Sequence, residues 1–265
     1  MAMNRLKTML AQGQPVLNGW LSIPSPLTAE VLAAQGYDAL TVDMQHGLID
    51  YADMVAMLQA MRASGVVPLA RVPWLDPAAI MKTLDAGALG VICPMISNRA
   101  QAEEFVSYMR YPPHGTRSFG PTRAMWSLGA DYYNQANDQV MCFAMIETAE
   151  GVENLDEICS TPGLDGVYIG PADLTIGVTN GRLPPGFDRQ EEEMIAVIKQ
   201  ILAASKKAGI HAVMHCGTPE YAARAFGWGF PMATLLNDLR MLSAAAAREV
   251  QQTRDLMAKL GGQAN

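Results

Sequence analysis

The chain has 265 residues, half of them hydrophobic and 17% charged, with a net charge of −7. That is enough apolar material for the core of one large α/β domain or two small ones. The acidic balance, without any Lys/Arg cluster, argues against a nucleic-acid or anionic-membrane surface, and no apolar run reaches the length of a membrane-spanning helix.

The first residues, Met1 to Lys7, lack the long apolar stretch of a signal peptide, so a cytoplasmic protein is expected. Val16–Ile23 is the first short apolar run that reads as a strand, and Pro26–Gln35 the first helical pattern. The alternation then continues. Strands are expected at Ala39–Asp43, Val67–Arg71, Gly90–Pro94, Met141–Glu147, Gly166–Gly170, Ile210–Met214 and Pro231–Leu236. Helices are expected at Tyr51–Ser64, Pro77–Ala86, Arg99–Tyr108, Gly151–Cys159, Glu191–Ala208, Pro219–Phe226 and Asp238–Leu260. Met54, Met57, Leu58 and Met61 form a core-facing stripe on one of these helices. Asp76-Pro77 and Thr218-Pro219 set a capping residue before a proline at the first helical position. Gly87 and Gly209 close helices.

Eight short buried-type strands alternating with helices over about 250 residues is the size and count of a (β/α)₈ barrel. We expect a single such domain spanning residues 1–265, with an extended C-terminal helix over about 238–260. A doubly wound open sheet is the runner-up, but the chain carries no glycine-rich phosphate loop. Between the fourth and fifth strands lie more than forty residues. Long βα loops on the catalytic face are usually lids or substrate walls, and Arg117 or Arg123 could meet an anionic substrate from there.

Charged residues where buried strands exit point to a site, because packing does not require them there. Asp43-Met44-Gln45-His46-Gly47 follows one strand and Arg71 ends the next. Glu147 closes Met141–Ile146, and Asp173 stands just past Val167–Gly170. Glu147 and Asp173 are hard oxygen donors without a Cys or His partner, which suits Mg²⁺, Mn²⁺ or a similar octahedral divalent ion such as Co²⁺. Such an ion would leave positions for water and a chelating 2-oxo acid. Arg71 could share charge developing on the substrate oxygen, and the turn at Gly170-Pro171-Ala172-Asp173 could offer free N–H groups to its carboxylate. Asp43 could orient the His46 ring, and His215, just past the seventh strand, is a specificity candidate.

Each of these residues also has an ordinary reading: Asp173 as a helix cap, Asp85 as a last-turn helix residue, His46 as a loop histidine. The lysines are informative by exclusion. None stands at a strand exit, so a Schiff-base aldolase is unsupported. Cys93, Cys142, Cys159 and Cys216 show no ligand spacing and read as small buried hydrophobes of a reducing compartment.

Five motifs in order, Asp43-x-x-His46-Gly47, Pro68-x-x-Arg71-Val72-Pro73, Leu84-Asp85-Ala86-Gly87-Ala88, Ala144–Thr148 and Tyr168–Leu174, resemble the HpcH/HpaI family of metal-dependent pyruvate-type aldolases. The likeness runs from about Gly19 to Asp238. It implies a (β/α)₈ barrel that assembles as a homo-oligomer, a hexamer or trimer of dimers, with the C-terminal helix exchanged between partners. It implies reversible aldol cleavage of 4-hydroxy-2-oxo acids to pyruvate, or hydroxypyruvate, plus an aldehyde. Carried over by position, Glu147 and Asp173 bind the metal, Arg71 stabilises the enolate, and His46 transfers protons. Asp43 and Asp85 support that histidine, Asp85 from the same or a neighbouring subunit, and Gly170, Ala172 and Asp173 line the carboxylate site. Arg117–Arg123 and His215–Thr218 would set aldehyde choice. The alternatives are an acyl-CoA lyase of the citramalyl- or malyl-CoA type, which needs a basic groove, and a non-catalytic barrel that binds a 2-oxo acid.

Overall fold

Side chains along each strand alternate between two apolar surroundings, and this alternation builds the molecule. In the computed structural model, which describes residues 4–261, a short helix α1 (Arg5–Ala11) precedes β1 (Val16–Leu21). There follow α2 (Pro26–Ala33), β2 (Ala39–Asp43), α3 (Tyr51–Met61), β3 (Val67–Arg71), α4 (Pro77–Asp85), β4 (Gly90–Cys93) and α5 (Arg99–Met109). Next come α6 (Thr122–Leu128), α7 (Tyr132–Gln139), β5 (Met141–Ile146), α8 (Ala149–Glu153), α9 (Leu155–Cys159), β6 (Gly166–Ile169) and α10 (Pro171–Val178). The chain ends through α11 (Glu192–Ala208), β7 (His211–His215), α12 (Pro219–Trp228), β8 (Met232–Asn237) and α13 (Asp238–Gly261).

All eight strands are parallel and pair in chain order, and β1 pairs with β8 to close the barrel. Closure excludes the open doubly wound sheet. Cys142, Ala144 and Ile146 of β5 and Val167 and Ile169 of β6 face the helical ring, where they pack with residues such as Phe105 and Ile198. Their alternates Met141, Phe143, Met145 and Tyr168 fill the interior together with Trp20, Leu69 and Val213. The same interior cluster takes in Leu6 and Leu10 of α1. Asn4, its N-cap, bonds the carbonyls of Leu89 and Gln139 just before β4 and β5, so α1 plugs the N-terminal end of the barrel. Among the described residues the interior is filled, and it opens at the C-terminal ends of the strands.

Four elements depart from the expectation. Helix α1 was not foreseen. The pattern Gly151–Cys159 is interrupted at Asn154, between α8 and α9. The long β4–β5 connection carries two helices, α6 and α7, rather than an open lid. The turn expected at Gly170–Asp173 is the start of α10, with Pro171 at its first position; a proline there lacks only an N–H that a helix start leaves unpaired anyway. Helix α13 starts at Asp238, whose carboxylate accepts the N–H groups of Ser22 and Ile23 and ties it to the end of β1. Its far end carries Leu256, Met257 and Leu260 at 60–70% exposure.

Candidate active site

Asp43 and Arg71 are register partners at the exits of β2 and β3. The carboxylate takes Arg71 in a two-pronged pair, Nε to Oδ1 at 2.8 Å and Nη2 to Oδ2 at 2.7 Å. Trp20 Nε1 donates to the same carboxylate at 3.2 Å, and the guanidinium lies 4.9 Å from the Trp20 ring centroid. Burial alone would push the Asp43 carboxyl up, but Arg71, Trp20 and the Gln45 N–H more than reverse this and hold it below the usual carboxylate range. Arg71 is thereby a fixed, buried cation rather than a searching side chain.

The second carboxylate pair stands across the mouth. Glu147 follows β5 and is 2% exposed. Its Oε1 accepts the Met95 N–H at 2.9 Å, and Met95 holds φ 59°, in the left-handed region, at the exit of β4. A Cβ on Gly170 would overlap the Met145 methyl and come within 2.6 Å of Glu147 Oε2, so any larger residue here would push both side chains aside. Burial, with the charge of Asp173 adding to it, pushes the Glu147 carboxyl up to about 7. A buried carboxyl raised in this way beside a second carboxylate accommodates a hard divalent cation, whose charge would favour the anion. No cluster of three or more His, Cys, Asp or Glu side chains suited to a metal is found among the described residues, so two protein ligands, with water and substrate oxygens, are what this site can offer. Asp173 lies in the first turn of α10. The N–H groups of Ala172 and Asp173 precede the first helical bond, Leu174 N–H to Gly170 O, and point where an anion is favoured.

A cavity of about 320 Å³ joins Asp43, Arg71 and the start of α10. Trp20, Asp43, His46, Arg71, Met145 and His215 line it together with Gly170–Asp173, Phe187 and Arg240. His46 is exposed at its rim. No lysine lines it: Lys7, Lys82, Lys199, Lys206, Lys207 and Lys259 all lie on helices.

The expected residues therefore converge in part. His46, Arg71, Asp43, Gly170, Ala172, Asp173 and His215 meet at the cavity, with Glu147 immediately behind Gly170. Asp43 does not orient the His46 ring. Its carboxylate is taken by Arg71 and Trp20, and it reaches His46 only through the backbone N–H at 3.3 Å. Asp85 stands at the end of α4 and pairs with Arg117 at 2.8 Å, away from this chain's cavity. Arg117, expected at a substrate wall, has a fully buried side chain stacked on Tyr111 and bonded to Tyr132 Oη. Arg123 donates to the Ala86 carbonyl and lines a different hollow beside Leu58 and Ser127, so it is not a substrate ligand in this chain. His215 ends β7 rather than following it. Trp20, Phe187 and Arg240 were missed. Trp20 was hidden inside an apolar run, where a core reading is the natural one.

A filled (β/α)₈ barrel with two carboxylates, a clamped arginine and a histidine at its C-terminal mouth, and no lysine there, has the equipment of a lyase that works without a Schiff base. The comparisons make this specific. The family model for HpcH/HpaI aldolase/citrate lyase matches residues 18–241, and the chain belongs to that family. It is 41% identical over 254 residues to a hydroxypyruvate/pyruvate aldolase of Rhizorhabdus wittichii, covering 96% of this chain and 100% of the relative. It is 33% identical to a 4-hydroxy-2-oxo-heptane-1,7-dioate aldolase of Shigella sonnei, over 98% of this chain and 96% of that one. Among solved structures, an HpcH/HpaI aldolase/citrate lyase family protein from Burkholderia cenocepacia superposes with a TM-score of 0.87. It is 31% identical and the match covers 95% and 99% of the two chains. The chain is a carbon–carbon lyase of the aldolase type.

Proposed function

We propose that this enzyme reversibly cleaves 4-hydroxy-2-oxo acids into pyruvate or hydroxypyruvate and an aldehyde, using a divalent ion held by Glu147 and Asp173. The observation that carries this reading is the meeting, in one cavity, of a buried Asp43–Arg71 clamp, the open N–H groups of α10, Asp173 and His46. The names of the relatives support the donor and the reaction. Bound there, Mg²⁺, Mn²⁺ or Co²⁺ would supply Lewis acidity to the donor's keto oxygen.

The chain's own residues do the rest. The N–H groups of Ala172 and Asp173 hold the donor carboxylate at the start of α10. Arg71, fixed by Asp43 and Trp20, faces the donor's keto oxygen and lowers the energy of the enolate as negative charge moves there. His46 takes the proton from the C4 hydroxyl as the C3–C4 bond breaks, leaving the electron pair in the enolate, and returns a proton in condensation. Asp85, which does not reach its own cavity, supports His46 across a subunit boundary. That arrangement needs a homo-oligomer, a hexamer or trimer of dimers, and the apolar far end of α13 supports one. Four buried free cysteines suit the reducing cytoplasm.

The test follows exchange of pyruvate methyl protons with D₂O by NMR, after chelation and resupply of each metal. Metal-dependent exchange is the expected result. Exchange that survives complete chelation would overturn the metal-assisted route.

A further inference from the structure

A buried polar chain lies beneath the cavity and takes no part in the steps above. Asn18, Thr41, Thr234 and Tyr168 are all 0% exposed inside the barrel. The Asn18 amide stands between the main-chain oxygens of Gly19 and Ala39 on one side and the hydroxyls of Thr41 and Thr234 on the other. Carbonyls only accept, so the NH₂ faces them, at 3.1 Å from Ala39 O, and Oδ1 faces Thr234 Oγ1 at 2.9 Å. A hydroxyl has one proton. Thr234 gives its proton to Asn18 and therefore accepts from Tyr168 Oη at 2.8 Å. Tyr168 has then used its own proton, so its oxygen accepts from His215 Nδ1 at 3.1 Å. The chain of donors thus fixes the tautomer: His215 is protonated on Nδ1 and carries a lone pair on Nε2.

Nε2 has no protein partner among the described residues. His215 is 8% exposed and lines the cavity, its ring 4.8 Å from Trp20 and 5.0 Å from Phe187. Burial and the nearby Arg71 hold the imidazole's pKa down to about 3, so the ring stays neutral. Beside the Trp20 and Phe187 rings the cavity therefore presents a fixed, neutral hydrogen-bond acceptor. Keto, aldehyde and carboxylate oxygens are acceptors too and gain nothing from it. In a mixture of 2-oxo acids and aldehydes, only a hydroxyl is complementary.

We infer that His215 Nε2 accepts a hydroxyl of the donor, so that this enzyme selects a 3-hydroxy-2-oxo acid over its unhydroxylated counterpart. The inference rests on the reading of this cavity as the donor site. His215 is assigned to the donor because it lies on the floor, beside the Trp20 platform of Arg71, whereas an aldehyde enters over a donor already seated.

The test measures C3 proton exchange into D₂O with hydroxypyruvate and with pyruvate, for the native enzyme, His215→Leu and Tyr168→Phe, all with the same metal. Losing an acceptor matched to a substrate hydroxyl should lower the hydroxypyruvate-to-pyruvate ratio of kcat/KM about 10- to 100-fold in His215→Leu. Tyr168→Phe should lower it by less, since the ring survives but its tautomer is no longer fixed. Independently of turnover, long-range ¹H–¹⁵N NMR of the native protein should show His215 protonated on Nδ1 with Nε2 bare, a readout that stands even if a variant misfolds. An Nε2-protonated ring, an unchanged ratio, or a loss that follows hydroxylation of the aldehyde would each overturn the proposal. No exchange with either donor in the native enzyme would instead sink the aldolase reading beneath it.

Discussion

In the proposed reaction, Arg71 and His46 divide the chemistry between a buried, clamped group and an exposed one. A buried ion pair is a poor source of stability, because desolvation offsets most of the attraction. The Asp43–Arg71 pair is better understood as aiming a guanidinium. Lysine cannot reproduce the two-pronged contact with Asp43, so Arg71→Lys should fold but lose about 10²- to 10³-fold in kcat/KM, as when one preorganised donor to a developing anion is removed. Steady-state kinetics alongside a circular-dichroism melt would check this; near-native kinetics would show that any cation suffices. His46→Ala should behave differently. Its kcat should fall roughly 10²- to 10⁴-fold while calorimetry finds pyruvate affinity retained, because the residue meets the departing aldehyde end and not the donor. At this scale the sequence was informative where charge interrupts an apolar run, as at Glu147 and Arg71. It was silent on partners. Asp43 beside His46 in the chain suggested a dyad, yet the residue opposite in the next strand captured the carboxylate. Arg117 was expected at a substrate wall, and only the fold brings Asp85, Tyr111 and Tyr132 around it.

Among elements, α10 and the strand exits on either side decide the geometry. Gly170 is both the last link from β6 and the surface against which Glu147 packs. Gly170→Ala must displace the Met145 methyl and the Glu147 carboxylate. It should weaken metal affinity about 10- to 100-fold, the range seen when groups that support metal ligands are disturbed, with only a small change in melting temperature. Titrating the metal dependence of exchange would separate this from a general loss of folding. The eight strands were legible because each is a short apolar run between breakers, and that pattern does not depend on distant contacts. Helix α10 was not: Gly-Pro marks turns and helix starts alike, and eight residues of mixed polarity carry little periodicity. The two helices within the long β4–β5 connection were not foreseen for a similar reason, since α6 and α7 are only seven and eight residues long and α7 is rich in Asn and Gln.

For the whole molecule, the exposed apolar end of α13 and the placement of Asp85 away from its own cavity both bear on assembly. A helix whose last three turns leave Leu256, Met257 and Leu260 exposed gains by burying them against another subunit. Deleting residues beyond Arg248 should therefore lower the mass seen by light scattering and reduce kcat, with the barrel still folded. A native mass equal to one chain would remove the basis for Asp85 acting across subunits.

The plugged base of the barrel has a consequence for the order of events. Leu6 and Leu10 pack into the N-terminal end, so in the proposed reaction both reactants use the C-terminal mouth, and a donor seated on the floor is covered by whatever arrives second. Cleavage must then discharge its products in sequence, the aldehyde first and the 2-oxo acid last. Product inhibition patterns report this directly: the 2-oxo acid should compete with the uncleaved substrate for the empty enzyme, whereas the aldehyde should inhibit noncompetitively.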